Sequence, residues 1–94
     1  MQSIAKYQQL MLPVLKKYQI RRASIFGSVA KGYDTAESDV DLLIETEPGF
    51  TLFNLLQLEE EMATLLHKRV DLVEFDAIKQ SIKEEVLQSA VVIL

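Results

Sequence analysis

Residues Ser24 to Glu45 bring a glycine turn, a hydroxyl and two alternating carboxylates into one short stretch, and the rest of the chain reads as support for it. An apolar run from Ala23 to Phe26 breaks at Gly27-Ser28, and small residues able to open a short helix follow. A strand that feeds a helix N-terminus presents free backbone N–H groups to an anion. The second half, Asp39-Val40-Asp41-Leu42-Leu43-Ile44-Glu45, has the alternation of a strand, so Asp39 and Asp41 project from one face. Their Cα atoms are expected about 6.6 to 6.8 Å apart, which lets both carboxylates reach one pair of divalent cations.

Gly27-Ser28, ten residues and then Asp39-x-Asp41 resembles the signature of the DNA-polymerase-beta-like nucleotidyltransferase superfamily. In so short a chain it is similar to the minimal nucleotidyltransferase (MNT) family. Phe26, Ala30, Gly32, Ser38 and Leu42-Leu43 agree with that pattern as well. The resemblance implies an α/β (α+β) nucleotidyltransferase fold, with a small mixed β-sheet of three or four strands flanked by helices. It also implies transfer of a nucleotidyl group with loss of pyrophosphate, assisted by two Mg2+ ions, with Mn2+ as an alternative. Asp39 and Asp41 would hold the metals. Asp71, the only aspartate placed to match the family's third carboxylate, would join the second and orient the incoming hydroxyl. Gly27 would let the backbone approach the triphosphate of ATP, Ser28 would offer its hydroxyl and N–H to the β- or γ-phosphate, and Lys31 would add a positive charge. Read without the resemblance, Lys31 is equally a solvated helix lysine and Asp71 a solvent-facing strand residue. Many relatives read Gly-Ser-Arg-x-Arg-Gly, whereas Val29 and Lys31 stand here, so one cation is lost and the other lacks the planar fork of arginine.

With 94 residues, the chain is expected to be one domain, 1–94. There is no cysteine, which excludes disulfides and thiolate metal sites and suits a reducing compartment. No apolar run approaches the ~18 residues of a membrane span and the N-terminus lacks a signal h-region, so the expected location is cytoplasmic with no membrane association. A net charge of −4 and a pI near 4.9 argue against direct nucleic-acid binding, which depends on cationic side chains displacing counterions.

Apolar residues at Ile4, Tyr7, Leu10, Met11, Val14, Leu15 and Tyr18 predict an amphipathic helix over Ser3 to Tyr18, with Ser3 as cap and Pro13 either kinking it or opening a second helix. Arg21 and Arg22 read as a solvated flank. Gly32 to Ser38 is a polar loop, and Pro48-Gly49 closes the second strand. Thr51 to His67 predicts the longest helix, with Glu59-Glu60-Glu61 on a solvated face and His67 complementing its C-terminus. A third strand, Arg69 to Phe75, carries Asp71. Asp76 is the expected cap of a last helix, Ala77 to Leu87, with Ile78, Ile82, Val86 and Leu87 as its apolar stripe. The uncharged end, Ala90 to Leu94, should pair as a short strand within the monomer core or meet a partner.

So small a chain leaves little room for acceptor-binding architecture, which points to a docking protein as acceptor. The MNT resemblance names it: a HEPN-domain toxin, adenylylated on tyrosine by an antitoxin within a hetero-oligomer. Two other readings stay open, an antitoxin that neutralises HEPN by binding alone and a small-molecule nucleotidyltransferase completed by another subunit.

Overall fold

The structure, a computed structural model, describes residues 4–33, 35 and 37–94. The Ser3 cap, Asp34 and Ala36 of the polar loop, and the side chain of Ile82 lie outside what is described. The described residues form helix α1 (Ile4–Lys17), strand β1 (Arg22–Phe26), a short α2 (Gly27–Lys31), β2 (Val40–Glu45), α3 (Leu52–Leu66), β3 (Val70–Glu74), a 3₁₀ turn (Phe75–Ala77), α4 (Gln80–Ser89) and β4 (Val91–Val92).

The sheet runs in the order β3-β2-β1-β4, with β1 antiparallel to β2 and to β4 and β2 parallel to β3. The antiparallel pair follows directly from one short connection, while the parallel pair needs the crossover that α3 supplies. Period-two alternation puts Ala23, Ile25, Val40, Leu42, Ile44, Val70 and Leu72 on one face, all buried. Against that face pack Tyr7, Met11 and Leu15 of α1 and Leu58, Met62 and Leu66 of α3, each set spaced four residues apart. Leu43 is buried on the opposite face, so central β2 is covered on both sides.

Pro13 lies inside α1, which runs through it as one helix and leaves it exposed. The helix ends at Lys17, where Gln19 turns left-handed at φ 58° and lets buried Ile20 donate its N–H to Leu15 O at 3.0 Å. Thr51 and Asn54 form a reciprocal capping box at the start of α3, and His67 closes its end in the left-handed conformation. Glu61 keeps part of its side chain exposed on the expected solvated face and in addition accepts from Lys17 Nζ at 2.5 Å and from Tyr18 Oη at 3.0 Å, joining α3 to the end of α1. Arg21 and Arg22 are exposed and make loose pairs with Glu47 (3.5 Å) and Glu45 (3.8 Å), of little energetic consequence.

The last helix differs from expectation at both ends. Asp76 falls in the 3₁₀ turn and caps nothing, because Ile78 and Lys79 are extended and α4 starts at Gln80 without a side-chain cap. Leu87, expected in the apolar stripe, is 45% exposed. The chain end does enter the monomer core: Val91 and Val92 pair with Ile25 and Ser24, and Ile93 is buried. Among the described residues no helix is long and apolar enough to cross a membrane.

Candidate active site

Because β1 runs against β2 while β3 runs with it, the C-terminal end of β1 and the N-terminal ends of β2 and β3 meet at one end of the sheet. There Phe26 is in register with Asp41 and Asp41 with Asp71. Residues in register on neighbouring strands share a face and are separated by about 4.7 to 4.9 Å of strand spacing, so the Asp41 and Asp71 carboxylates are neighbours. They project from the face opposite the α1 and α3 packing, since Val40, Leu42, Val70 and Leu72 on either side of them are buried. Asp41 is half-buried and Asp71 exposed. Asp39 lies just ahead of β2 and is exposed.

Gly27 follows Phe26 immediately and has φ +71°. A Cβ built there would run into Oδ2 of Asp41 and lie within 3.1 Å of its Cγ. The glycine therefore makes room for the carboxylate, a role the sequence gives no sign of beyond the turn itself. Ser28, half-buried, is the second residue of α2, and its carbonyl accepts from Tyr33 N at 2.9 Å. Val29 is a core residue, 3% exposed, so one of the two positions that are arginine in the resembling Gly-Ser-Arg-x-Arg-Gly pattern is turned inward here. Lys31 is exposed at the end of α2.

The electrostatics single out Asp41. Burial pushes its carboxyl above the ordinary value of 3.8, and the charges of Asp71 and then Asp39 push it further in the same direction. Asp41 thus lies within electrostatic reach of both other aspartates. Register brings Asp41 and Asp71 together and Asp39 precedes β2 by one residue, while among the described residues no group of three or more acidic, histidine or cysteine side chains is gathered tightly enough to hold a metal ion by itself. His67 is exposed at the end of α3.

Sequence reasoning passed over Lys68. Its Nζ donates to Thr35 O at 3.0 Å, tying the start of β3 to the loop that leads into Asp39. Beside His67 and Arg69 it looks like one more cation at a helix C-terminus, and no local pattern distinguishes it.

The family model described as polymerase beta, nucleotidyltransferase, matches residues 9–94. A candidate protein adenylyltransferase of Methanocaldococcus jannaschii is 35% identical over 92 residues, covering 98% of this chain and 99% of that one. The protein adenylyltransferase MntA of Thermococcus cleftensis is 36% identical over 76 residues, covering 81% of this chain and 77% of its own. Among solved structures, a candidate minimal nucleotidyltransferase superposes with a TM-score of 0.82 at 32% identity, over 94% of this chain and 90% of that chain. A likeness of fold alone extends to the complex of an MNT antitoxin with a tri-AMPylated HEPN toxin of Shewanella oneidensis, with a TM-score of 0.75 at 15% identity over 96% of this chain and 71% of that one. The aspartate pair at the sheet end, the Gly-Ser turn beside it and these matches lead to one conclusion: the chain belongs to the polymerase beta nucleotidyltransferase family, among its minimal nucleotidyltransferases.

Proposed function

We propose that the protein is an antitoxin that transfers AMP from ATP to a tyrosine hydroxyl of a HEPN-domain toxin, docked with it as a hetero-oligomer in the cytoplasm, and that residues 1–94 act as one nucleotidyltransferase domain. The observation that carries the reading is the register pairing of Asp41 with Asp71 beside Gly27, in a chain whose relatives include protein adenylyltransferases. An acceptor that is itself a folded protein suits the site, because Asp39 and Asp71 are exposed at an open sheet end. The net charge of −4 speaks against a nucleic-acid acceptor.

The donor set fits magnesium, and manganese equally. Hard carboxylate oxygens are what such ions take, and Asp41, disfavoured as an anion first by burial and then by Asp71 and Asp39, would be relieved by a divalent cation. Two such ions, when bound, supply charge neutralisation at the attacking and leaving oxygens of an in-line displacement. Asp39 and Asp41 would hold both and Asp71 the second. Asp71 also orients the tyrosine hydroxyl, whose oxygen forms a bond to the α-phosphorus as the bond to the pyrophosphate oxygen breaks and the phenolic proton passes to solvent. Ser28 binds the β- or γ-phosphate through its hydroxyl and N–H, and Lys31 contributes a point charge in place of a guanidinium fork.

The test is intact-mass spectrometry of the HEPN protein after incubation with this protein, ATP and Mg2+. The wild type is expected to add one or more AMP units, and Asp39→Asn combined with Asp41→Asn none, with the complex retained. A wild type that silences the toxin without changing its mass would establish the binding-only reading instead. Equal modification by both proteins would remove the carboxylates from the mechanism.

A further inference from the structure

Asp39 is presented by a segment with little packing of its own: Thr35, Glu37 and Asp39 are exposed and Ser38 is half-buried. Thr35 and Ser38 close a tight turn, in which Ser38 N donates to Thr35 O at 3.1 Å and Thr35 N donates to Ser38 Oγ at 2.8 Å. The stretch from this turn to the start of β2 is held from outside at both ends by two consecutive residues. Lys68 Nζ donates to Thr35 O at 3.0 Å, and Val40 N donates to Arg69 O at 2.9 Å. Asp39 hangs between those two fixed points. Asp71 stands on the same gripping segment, two residues past Arg69. The backbone bond to Arg69 is independent of side-chain identity, whereas among the described residues the outside bond to Thr35 comes from the Lys68 side chain.

From this geometry we infer that Lys68 is a positioning residue: by holding the Thr35 carbonyl it fixes the turn from which Asp39 is aimed, and so sets Asp39 against the Asp41 and Asp71 pair for a divalent cation. The inference rests on the assignment of those three carboxylates as metal ligands. In this assignment Lys68 acts through the turn and is not itself a ligand. Its part resembles that of outer groups elsewhere that orient metal ligands, whose loss weakens metal affinity about 10- to 100-fold.

The experiment follows Mn2+ binding in the presence of a non-hydrolysable ATP analogue, by its effect on thermal unfolding and by calorimetry, in wild type, Lys68→Met, Lys68→Arg, Asp39→Asn and the Lys68→Met, Asp39→Asn pair. Lys68→Met keeps the length of the side chain and removes the donor; it is expected to raise the half-saturating Mn2+ concentration about tenfold. Lys68→Arg, which still donates, should recover most of the affinity. In the Asp39→Asn background Lys68→Met should change nothing further, since its effect passes through Asp39. A lysine that merely stabilised the fold would lower the metal-free melting temperature and leave the Mn2+ midpoint in place, and that result overturns the inference. So does an equal loss with and without Asp39. A wild type whose unfolding is indifferent to Mn2+ overturns the metal assignment itself, a failure separable from that of Lys68 alone. Lys68→Gln repeats the comparison should Lys68→Met fold poorly.

Discussion

Gly27 and Asp41 are fourteen positions apart in the chain and in contact at the site. At φ +71° a side chain costs about 1 to 2 kcal/mol, and here a methyl would also strike the Asp41 carboxylate. Gly27→Ala is therefore expected to lose at least ~1 kcal/mol in urea denaturation and to depress AMP transfer as far as Asp41→Asn does, because the carboxylate must swing away. Transfer at the wild-type rate would show that the loop yields instead. Asp41 makes a second prediction, in which sign matters. Burial, then Asp71 and Asp39, hold its carboxyl above the ordinary 3.8, so folding favours the protonated form. The stability this contributes is present in full below about pH 3.8 and is lost as the pH rises through the higher folded-state value. At pH 7 the folded protein carries a disfavoured charge. Asp41→Asn should accordingly melt at a higher temperature than wild type at pH 7 without divalent ions, and the advantage should vanish on acidification below the unfolded-state value. Calorimetry at both pH values decides it, and an asparagine variant no more stable than wild type at pH 7 counts against the assigned cost.

Periodicity located the three long strands and the three long helices, because alternation of period two and apolar spacing of three and four are written locally. Most of what it left out depends on contacts that no single stretch displays. Alternation shows which face Asp71 occupies on its own strand, but that it stands in register with Asp41 depends on how β2 and β3 align across the α3 crossover. Three consecutive glutamates look alike in sequence; Glu61 differs only because Lys17 and Tyr18 arrive from 44 and 43 residues away. Asp76 has the composition of a cap, yet the backbone stays extended through Ile78 and Lys79, with Lys83 Nζ lying 4.4 Å from the centre of the Phe75 ring. Pro13 advertises a break that the packing of Met11 and Leu15 on either side overrides. The Gly-Ser turn and the Asp-x-Asp strand were legible as candidate site elements for the opposite reason: each needs only residues close together in the chain.

The sheet is finished by the last residues of the sequence, and β1, the strand that delivers Gly27, is held between β2 and that final segment. Only two positions of β4 pair with β1, but the closure extends past them. Ile93 N donates to Ala23 O at 2.9 Å, Ala23 N donates to Leu94 O at 3.3 Å, and Gln8 Nε2 of α1 donates to Ile93 O at 2.9 Å. One residue thus ties the first helix, the first strand and the chain end together, with its side chain 3% exposed, while its neighbour Val92 is 69% exposed. Ile93→Ala is expected to cost about 2 to 5 kcal/mol, a large part of the ~5 to 15 kcal/mol that holds a typical domain. Val92→Ala should stay within about 0.5 kcal/mol. The active end should be largely insulated from this loss, because Phe26 is held against Asp41 by five registered pairs between β1 and β2 that do not involve β4. Below its lowered melting transition, Ile93→Ala should therefore bind Mn2+ with the wild-type midpoint. Chemical denaturation of both alanine variants, followed by the Mn2+ titration of Ile93→Ala, separates the two claims: equal destabilisation at positions 92 and 93 would deny the closure, and a shifted Mn2+ midpoint would show that the chain end reaches the carboxylates through β1.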